Sequence, residues 1–324
     1  QEMVEDANLY LSGLTLPRFP YEARGEARPL ERYWMGRLAE ELVSTAGTTY
    51  ELIGLLDNKH TASVRIESAI GKYYGSEAQH DCIDWMERLR GLEGQTWLHR
   101  IEKTRRDARV LNIYEGTNEV QRFLVLKDLV QRVLPALQKE VPAAPSKELA
   151  HADLALELHA AQRMLQGHLE TAVGRFGQLV WANVNAQPCF FRLTEIAGLT
   201  KVIDTVLYRL EWCARHDVPA DYRERLERAG RQYVLRAMSR IRVLERRYEF
   251  SYQYLIEGRY SPETQLGVLS LEKNGARLEG WGHLPERMRL SAPSQPLPDV
   301  VEIALLLRPV PMEAPRPRLG EGRF

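Results

Sequence analysis

Neither sign of charge prevails in this chain. Its 44 Lys and Arg residues are matched by 44 Asp and Glu residues, so the formal net charge is zero. A balanced surface argues against non-specific nucleic-acid binding as the main task. Cysteine is scarce: Cys82, Cys189 and Cys213 lie far apart, with neither metal-ligand spacing nor a disulfide framework. That pattern predicts reduced thiols, a cytoplasmic setting and no metal site. No apolar run approaches the ~20 residues of a membrane span, and no signal peptide is visible. The first residue is Gln1, not Met, which predicts a piece of a longer chain. At 324 residues the chain can still bury more than one core, so two or three domains are expected.

What is present concentrates in one stretch, residues 105–122. A charge cluster (Arg105, Arg106, Asp107, Arg109) gives way to apolar Val110, Leu111, Ile113 and Tyr114; Glu115, Gly116 and Thr117 follow at once. Glycine breaks regular structure and lets backbone approach a ligand. Thr117 can N-cap a helix running to about Lys139, with Val120, Phe123, Leu124, Val130, Val133 and Leu134 on its buried face. Glu115 is then expected on the loop entering that helix, among apolar walls. There a carboxylate's pKa can rise towards neutrality and the group can act as a general base. A capped helix with an exposed N-terminal Glu is the plainer alternative.

These residues carry a family likeness. Ile113-Tyr-Glu-Gly-Thr-Asn-Glu-Val-Gln-Arg122 resembles the C-terminal signature of the acyl-CoA dehydrogenases, and Arg106-Asp107-Ala108 matches the same family. The resemblance implies that Glu115 removes the α-proton of a fatty acyl-CoA and that the Glu115 N–H helps hold the thioester oxygen. It implies that Tyr114 and Gly116 line the substrate pocket, and that Thr117, Asn118 and Glu119 meet the adenosine phosphate region of FAD. Upstream, Arg88-Leu-Arg-Gly-Leu-Glu-Gly94 occupies the slot of a family glycine loop, Gln-x-x-Gly-Gly-x-Gly, that approaches a neighbouring subunit's FAD. Gly91 and Gly94 keep their places, Arg88 stands for the Gln and Leu92 for the second Gly. Leucine removes room for close approach, while Arg88 or Arg90 adds charge for phosphate. Read alone, Gly-Leu-Glu-Gly is a helix C-cap.

The expected fold is mainly α: an up-down helical bundle like the acyl-CoA dehydrogenase C-terminal domain, a second helical domain and a small β-containing tail. Residues 1–140 are assigned to the bundle, 141–148 to a Pro/Ala linker, 149–258 to the second helical domain and 259–324 to the tail. Helical spacing predicts one long helix over Leu30 to Asn58, with Leu38, Leu42, Thr45, Thr49, Leu52, Ile53 and Leu56 inward. A second runs over Thr61 to Leu89, and a short turn makes the two an antiparallel hairpin. Trp97 to Leu111 reads as a solvated connector with salt bridges. Candidate helices follow at Ala150 to Val184, Phe190 to His216 and Ala220 to Tyr254. The second of these carries Leu193, Ile196, Ala197, Val202, Ile203, Val206, Leu207 and Leu210 on one face; the last opens on Asp221 as N-cap candidate. This block resembles the extra helical domain of very-long-chain acyl-CoA dehydrogenases. Its mixed-sign faces (Glu224, Arg225, Glu227, Arg228, Arg231) favour a solvated helix over membrane contact. In the tail, Asn274-Gly275 between alternating runs predicts a hairpin. Val300-Val-Glu-Ile-Ala-Leu-Leu-Leu-Arg-Pro-Val-Pro311 reads as a strand, and it weakly resembles the opening strand of electron-transfer flavoprotein β-subunits.

The resemblance therefore implies an FAD-dependent oxidoreductase of fatty acid β-oxidation, a homodimer or homotetramer, with electron-transfer flavoprotein as a separate or fused acceptor. In that family two earlier domains hold the flavin ring, so the chain alone is expected to be catalytically incomplete. The departures at Arg88 and Leu92 keep a second reading open, a helical dimerisation or interaction protein without cofactor.

Overall fold

The computed structural model describes residues 29–58, 63–97, 100–139, 144–177, 180–182 and 186–257. All regular structure among them is helical. We number the α-helices α1 (Pro29–Asp57), α2 (Arg65–Arg90), α3 (Arg100–Ala108), α4 (Asn118–Asp128), α5 (Leu134–Lys139), α6 (Ala152–Phe176), α7 (Gln187–Arg215) and α8 (Ala220–Ile256). Short 3-10 turns occupy Gly91–Gln95, Arg109–Asn112 and Val180–Ala182, and a π turn over Leu129–Val133 joins α4 to α5. The mainly helical expectation holds. The predicted hairpin at Asn274-Gly275, the Val300 to Pro311 strand and residues 1–28 of the expected bundle lie outside the described residues.

α7 is the hub. It packs against α1, α4, α6 and α8. An apolar face shared among that many neighbours must be nearly continuous, and Leu193, Ile196, Ala197, Val202, Ile203, Val206, Leu207 and Leu210 are all buried. Each such aliphatic side chain contributes about 1.5–3 kcal/mol on leaving water. Pro188 lies in the first turn of α7, where its fixed φ costs no hydrogen bond. α8 pairs most extensively with α7 and also crosses α1. Its outer side carries Asp221–Arg225 and Glu224–Arg228 ion pairs one turn apart, the solvated face that the mixed charges predict. Asp221 pairs with Arg225 and does not cap; the N-cap position is Pro219, whose ring carries no hydrogen-bond acceptor.

α1 differs from its predicted face. Ile53 and Leu56 are exposed, as is Thr49. The buried line is Met35, Leu38, Ala39 and Val43 together with Glu40, Glu41, Ser44 and Thr48. These polar groups are satisfied across the helices. Tyr74 donates to Glu41 at 2.8 Å and meets Tyr233 at 2.8 Å and Ser44 at 2.9 Å. Arg236 on α8 donates to Glu40 at 2.6 Å and Glu41 at 2.7 Å. Burial pushes both carboxyls up, Glu40 to about 8. The residues on either side of the 141–148 segment share one hydrophobic core, from Met35 to Tyr248.

α2 starts at Arg65, later than predicted: Val64 supplies no capping side chain and Ser63 Oγ accepts from the Arg65 N–H at 3.4 Å. α6 likewise ends at Phe176, short of Val184, where Gly177 takes φ 77° and closes the helix. The connector becomes α3, and its charges are paired. Arg105 bonds Glu87 at 2.5 Å and also Asp84, and Lys103 bonds Asp107 one turn on. Where a continuous helix from Thr117 is expected, the π turn interrupts, and the face is rotated. Val120 is 48 % exposed, whereas Gln121, Val125, Leu126, Asp128 and Leu129 are buried with Val130 and Leu134.

Candidate functional site

The signature folds into a tight turn between two helical segments. The 3-10 turn Arg109–Asn112 runs out at Ile113, with the Tyr114 N–H donating to Val110 O at 3.0 Å. Glu115 then takes φ 56°, the single positive value at a non-glycine among the described residues, and Gly116 follows at φ 87°. A left-handed Glu costs about 1–2 kcal/mol and persists when neighbours hold it there. Thr117 has extended ψ and its hydroxyl accepts from the Val120 N–H at 3.3 Å, the N-cap that the sequence indicates.

Four side chains fix the turn. Gln121 Nε2 donates to Glu115 O at 2.9 Å. Lys72 Nζ, on α2, donates to Gly116 O and to Asn118 Oδ1, both at 2.8 Å. Ser76 Oγ lies 3.0 Å from Asn118 Nδ2 and 3.2 Å from its Oδ1. Arg122 donates to Glu77 at 2.5 Å, stands 3.6 Å from Glu195 on α7 and stacks 5.0 Å over the Tyr73 ring. Tyr73 donates to Thr194 O at 2.9 Å. The turn is thus tied through α2 to the hub helix. Burial lowers the Lys72 pKa, opposed by the nearby carboxylates Glu119, Glu115 and Glu77. The backbone N–H groups at the α4 N-terminus hold the Glu119 carboxyl below the usual range, helped by Thr117.

Glu115 itself is exposed. This corrects the expectation of an apolar seat. The anticipated walls are present as residues, but they face solvent too: Val110 is 54 % exposed, Ile113 63 % and Tyr114 46 %. Two cavities in the described structure are lined by Glu41, Tyr74, Glu195 and Arg240 among others, and by Ser63, Ile66, Arg132 and Leu137 among others; Glu115 lines neither. Among the described residues the carboxylate and its apolar surroundings form an uncovered patch. The Glu115 N–H has no acceptor among the described residues.

The remaining predicted residues separate by environment. Tyr114 and Gly116 adjoin Glu115 in the turn, with Gly116 partly buried. Asn118 is 3 % exposed and its amide is committed to Lys72, Ser76 and Glu77, so it supports the turn and does not reach outward. At the other corner, Gly91 takes φ 62° and caps α2, its N–H donating to Glu87 O. Gly94 is buried, and a Cβ there would meet Arg90 Cβ at 3.2 Å. These two glycines therefore serve local packing. Leu92 and Trp97 stand 85 % and 86 % exposed beside them. Arg88 is exposed and carries no ion pair among the described residues. Sequence reasoning misses Lys72 and Gln121; an isolated Lys in the middle of a helix carries no local signal of a distant carbonyl. Elsewhere, His168, Glu245 and Glu249 on α6 and α8 bring ligand-type atoms within 4.8 Å of one another, outside the signature turn.

The strained Glu-Gly turn thus feeds a capped helix and is braced on the long helix α2. Residues 27–130 match the family model described as acyl-CoA dehydrogenase, C-terminal domain. The chain is 27 % identical over 126 residues to a probable acyl-CoA dehydrogenase of Bacillus subtilis, covering 32 % of this chain and 21 % of that protein. It is 28 % identical over 100 residues to the caffeyl-CoA reductase-Etf complex subunit CarC of Acetobacterium woodii, 31 % of this chain and 26 % of that one. It is 38 % identical over 73 residues to the mitochondrial long-chain specific acyl-CoA dehydrogenase of Sus scrofa, 20 % of this chain and 16 % of that one. The matches thus span about a quarter or less of these relatives. The fold is similar to that of a Bacillus anthracis acyl-CoA dehydrogenase complexed with FAD, with TM-score 0.62 and 18 % identity over 84 % of this chain and 48 % of that one.

Proposed function

We propose that the chain is the C-terminal part of an FAD-dependent acyl-CoA dehydrogenase that removes hydrogen across the α,β-bond of a fatty acyl-CoA, with Glu115 as the α-proton base. The observation that carries this reading is the turn itself. A carboxylate on a held, left-handed backbone faces outward from an apolar patch, beside its own N–H, which is uncommitted among the described residues. A thioester laid on that patch offers its α-hydrogen to the carboxylate and its oxygen to an N–H donor, which is where charge develops as the proton leaves. Tyr114 and Gly116 flank the reacting carbons. Other domains of the parent protein supply the cover that excludes water, since the patch is open here.

FAD supplies the hydride acceptor for the β-carbon when bound. The residues present fit an anionic cofactor group at one of the two proposed corners. Arg88, exposed beside the Gly91–Gln95 turn and without an ion pair among the described residues, suits a phosphate. The α4 N-terminus is already occupied by the Glu119 carboxylate and the Thr117 hydroxyl, so Thr117 to Glu119 fit a neutral part of the cofactor better than its diphosphate. Tyr50, Ile53 and Leu56, exposed at one end of α1, suit a subunit contact in a homo-oligomer. Electron-transfer flavoprotein is the proposed electron acceptor.

The test is Glu115→Gln in the protein that carries this chain. Hydrogen exchange at the acyl α-carbon and turnover, measured in both oxidising and reducing directions, should fall by about 1000-fold or more with loss of the base. Wild-type exchange in E115Q overturns the reading. The exposed Leu92 in the glycine loop favours one alternative, a cofactor-free helical scaffold. A purified protein without flavin absorbance even after added FAD selects it.

A further inference from the structure

We propose that Lys72 is a positioning residue for this reaction: its ammonium clamps the Gly116 carbonyl and thereby holds the Glu115 turn in its left-handed form. The proposal rests on the assignment of Glu115 as base. Glu115 and Gly116 both sit at positive φ, a conformation that a Glu leaves unless something holds it. The turn has two carbonyls to hold. Gln121, from the helix that the turn itself begins, takes that of Glu115 at 2.9 Å. Lys72 takes that of Gly116 at 2.8 Å, and it comes from α2, a separate helix anchored in the core by Ile70, Tyr73 and Tyr74. The Gln121 bond alone can move with α4; the Lys72 bond references the turn to the rest of the bundle. A second Lys72 proton goes to Asn118 Oδ1, so one cation fixes the carbonyl and the first residue of α4 together.

The ammonium suits this place electrostatically. The charged groups that face it are Glu77 on its own helix, Glu115 in the turn and Glu119 on α4. Glu77 is paired with Arg122. Glu119 is drawn to the α4 N-terminus. The Lys72 charge therefore bears on the carboxylate assigned to the chemistry, although no bond joins them. A neutral side chain at position 72 leaves Gly116 O without its partner and frees the turn to relax. Substrate does not touch Lys72, so the defect should fall on catalysis and not on binding.

The experiment uses the holoenzyme that contains this chain and compares Lys72→Met, Lys72→Cys, and K72C alkylated with 2-bromoethylamine, which rebuilds a lysine-like side chain with the ammonium at nearly the same reach. K72M should lower kcat and α-hydrogen exchange by about 10- to 100-fold, the penalty of roughly 1 Å misplacement, with KM changed by less than about 3-fold. Aminoethylation of K72C should restore most of the loss. Hydrogen–deuterium exchange of peptides spanning residues 110–122 should quicken in K72M, a readout that does not need turnover. Wild-type kcat and unchanged exchange in that peptide overturn the proposal. So does a folded, FAD-loaded K72C that aminoethylation fails to restore, or a loss that appears in KM alone. Full α-exchange in E115Q overturns the base assignment instead, so the two failures are told apart.

Discussion

Gly198 on α7 faces Tyr73 on α2, and Gly198→Ala tests the packing account directly. A Cβ on Gly198 would lie 1.8 Å from Tyr73 Oη and 2.9 Å from its Cζ. Tyr73 cannot swing aside. It is 3 % exposed, donates to Thr194 O at 2.9 Å and lies beneath the Arg122 guanidinium. The helices part, at about 1–3 kcal/mol for overpacking, and Tyr73 surrenders its hydrogen bond, at about 1–3 kcal/mol for a buried orphan hydroxyl. The gain of Ala over Gly in a helix returns about 1 kcal/mol. Crowding and the lost hydrogen bond together outweigh that gain, and G198A should lose roughly 3 kcal/mol, or about 6–12 °C in Tm for a unit of this size. Tyr73→Phe removes the nearest atom and alone costs about 1 kcal/mol. Because the ring carbon still crowds the new methyl, the double variant should recover part of the G198A loss, with a coupling of about 1–2 kcal/mol. Urea midpoints of the four proteins measure it. A G198A midpoint equal to wild type, or a cycle that adds, refutes the close-contact argument.

Two further outcomes follow from side chains that finish helix ends. Glu211 on α7 is buried and accepts from the His151 N–H at 2.7 Å and the Ala150 N–H at 3.2 Å, just ahead of α6. Glu211→Ala orphans both donors and should cost about 2–4 kcal/mol by denaturant titration, against about 0.5 kcal/mol for an exposed Glu. At the other end of the fold, Thr117→Ala should cost about 1 kcal/mol through its cap. The folded pKa of Glu119 lies below its ordinary value of 4.5, held there first by its own backbone N–H at the helix N-terminus. The stability it contributes is therefore present above that value and lost as the pH falls from it through the lower folded value, and Glu119→Gln should flatten that acid slope while leaving the midpoint at pH 7 within about 0.5 kcal/mol.

Legibility from sequence follows the chemistry of each neighbour. α7 is readable because it is surrounded, so its stripe from Leu193 to Leu210 needs apolar residues on nearly every turn and shows them. α1 misleads for the opposite reason. It meets α2 and α8 through Glu40, Glu41 and Ser44, and those residues look like surface until Tyr74, Tyr233 and Arg236 are seen to satisfy them. Periodicity counts apolar residues and cannot count partners that arrive from 30 to 196 positions away. The same limit governs the signature. The Thr117 cap is local and visible; the Lys72 bond to Gly116 spans 44 positions and is not.

Glu115 makes the point at the level of function. A motif suggests which residue type is suited to a chemistry, because reactivity constrains residue type. It does not announce where the enclosing surface comes from. Val110, Ile113 and Tyr114 are among the residues expected to wall the carboxylate in, yet they stand exposed around it. Apolar residues next to one another on a strained, firmly braced turn lose free energy by staying wet. That cost makes sense if the patch is a half-site, rigid on this side and closed by another domain or by the acyl chain itself. Rigidity and openness are then one design: the bracing by Lys72, Gln121 and Arg122 lets this half hold its shape before the other half arrives.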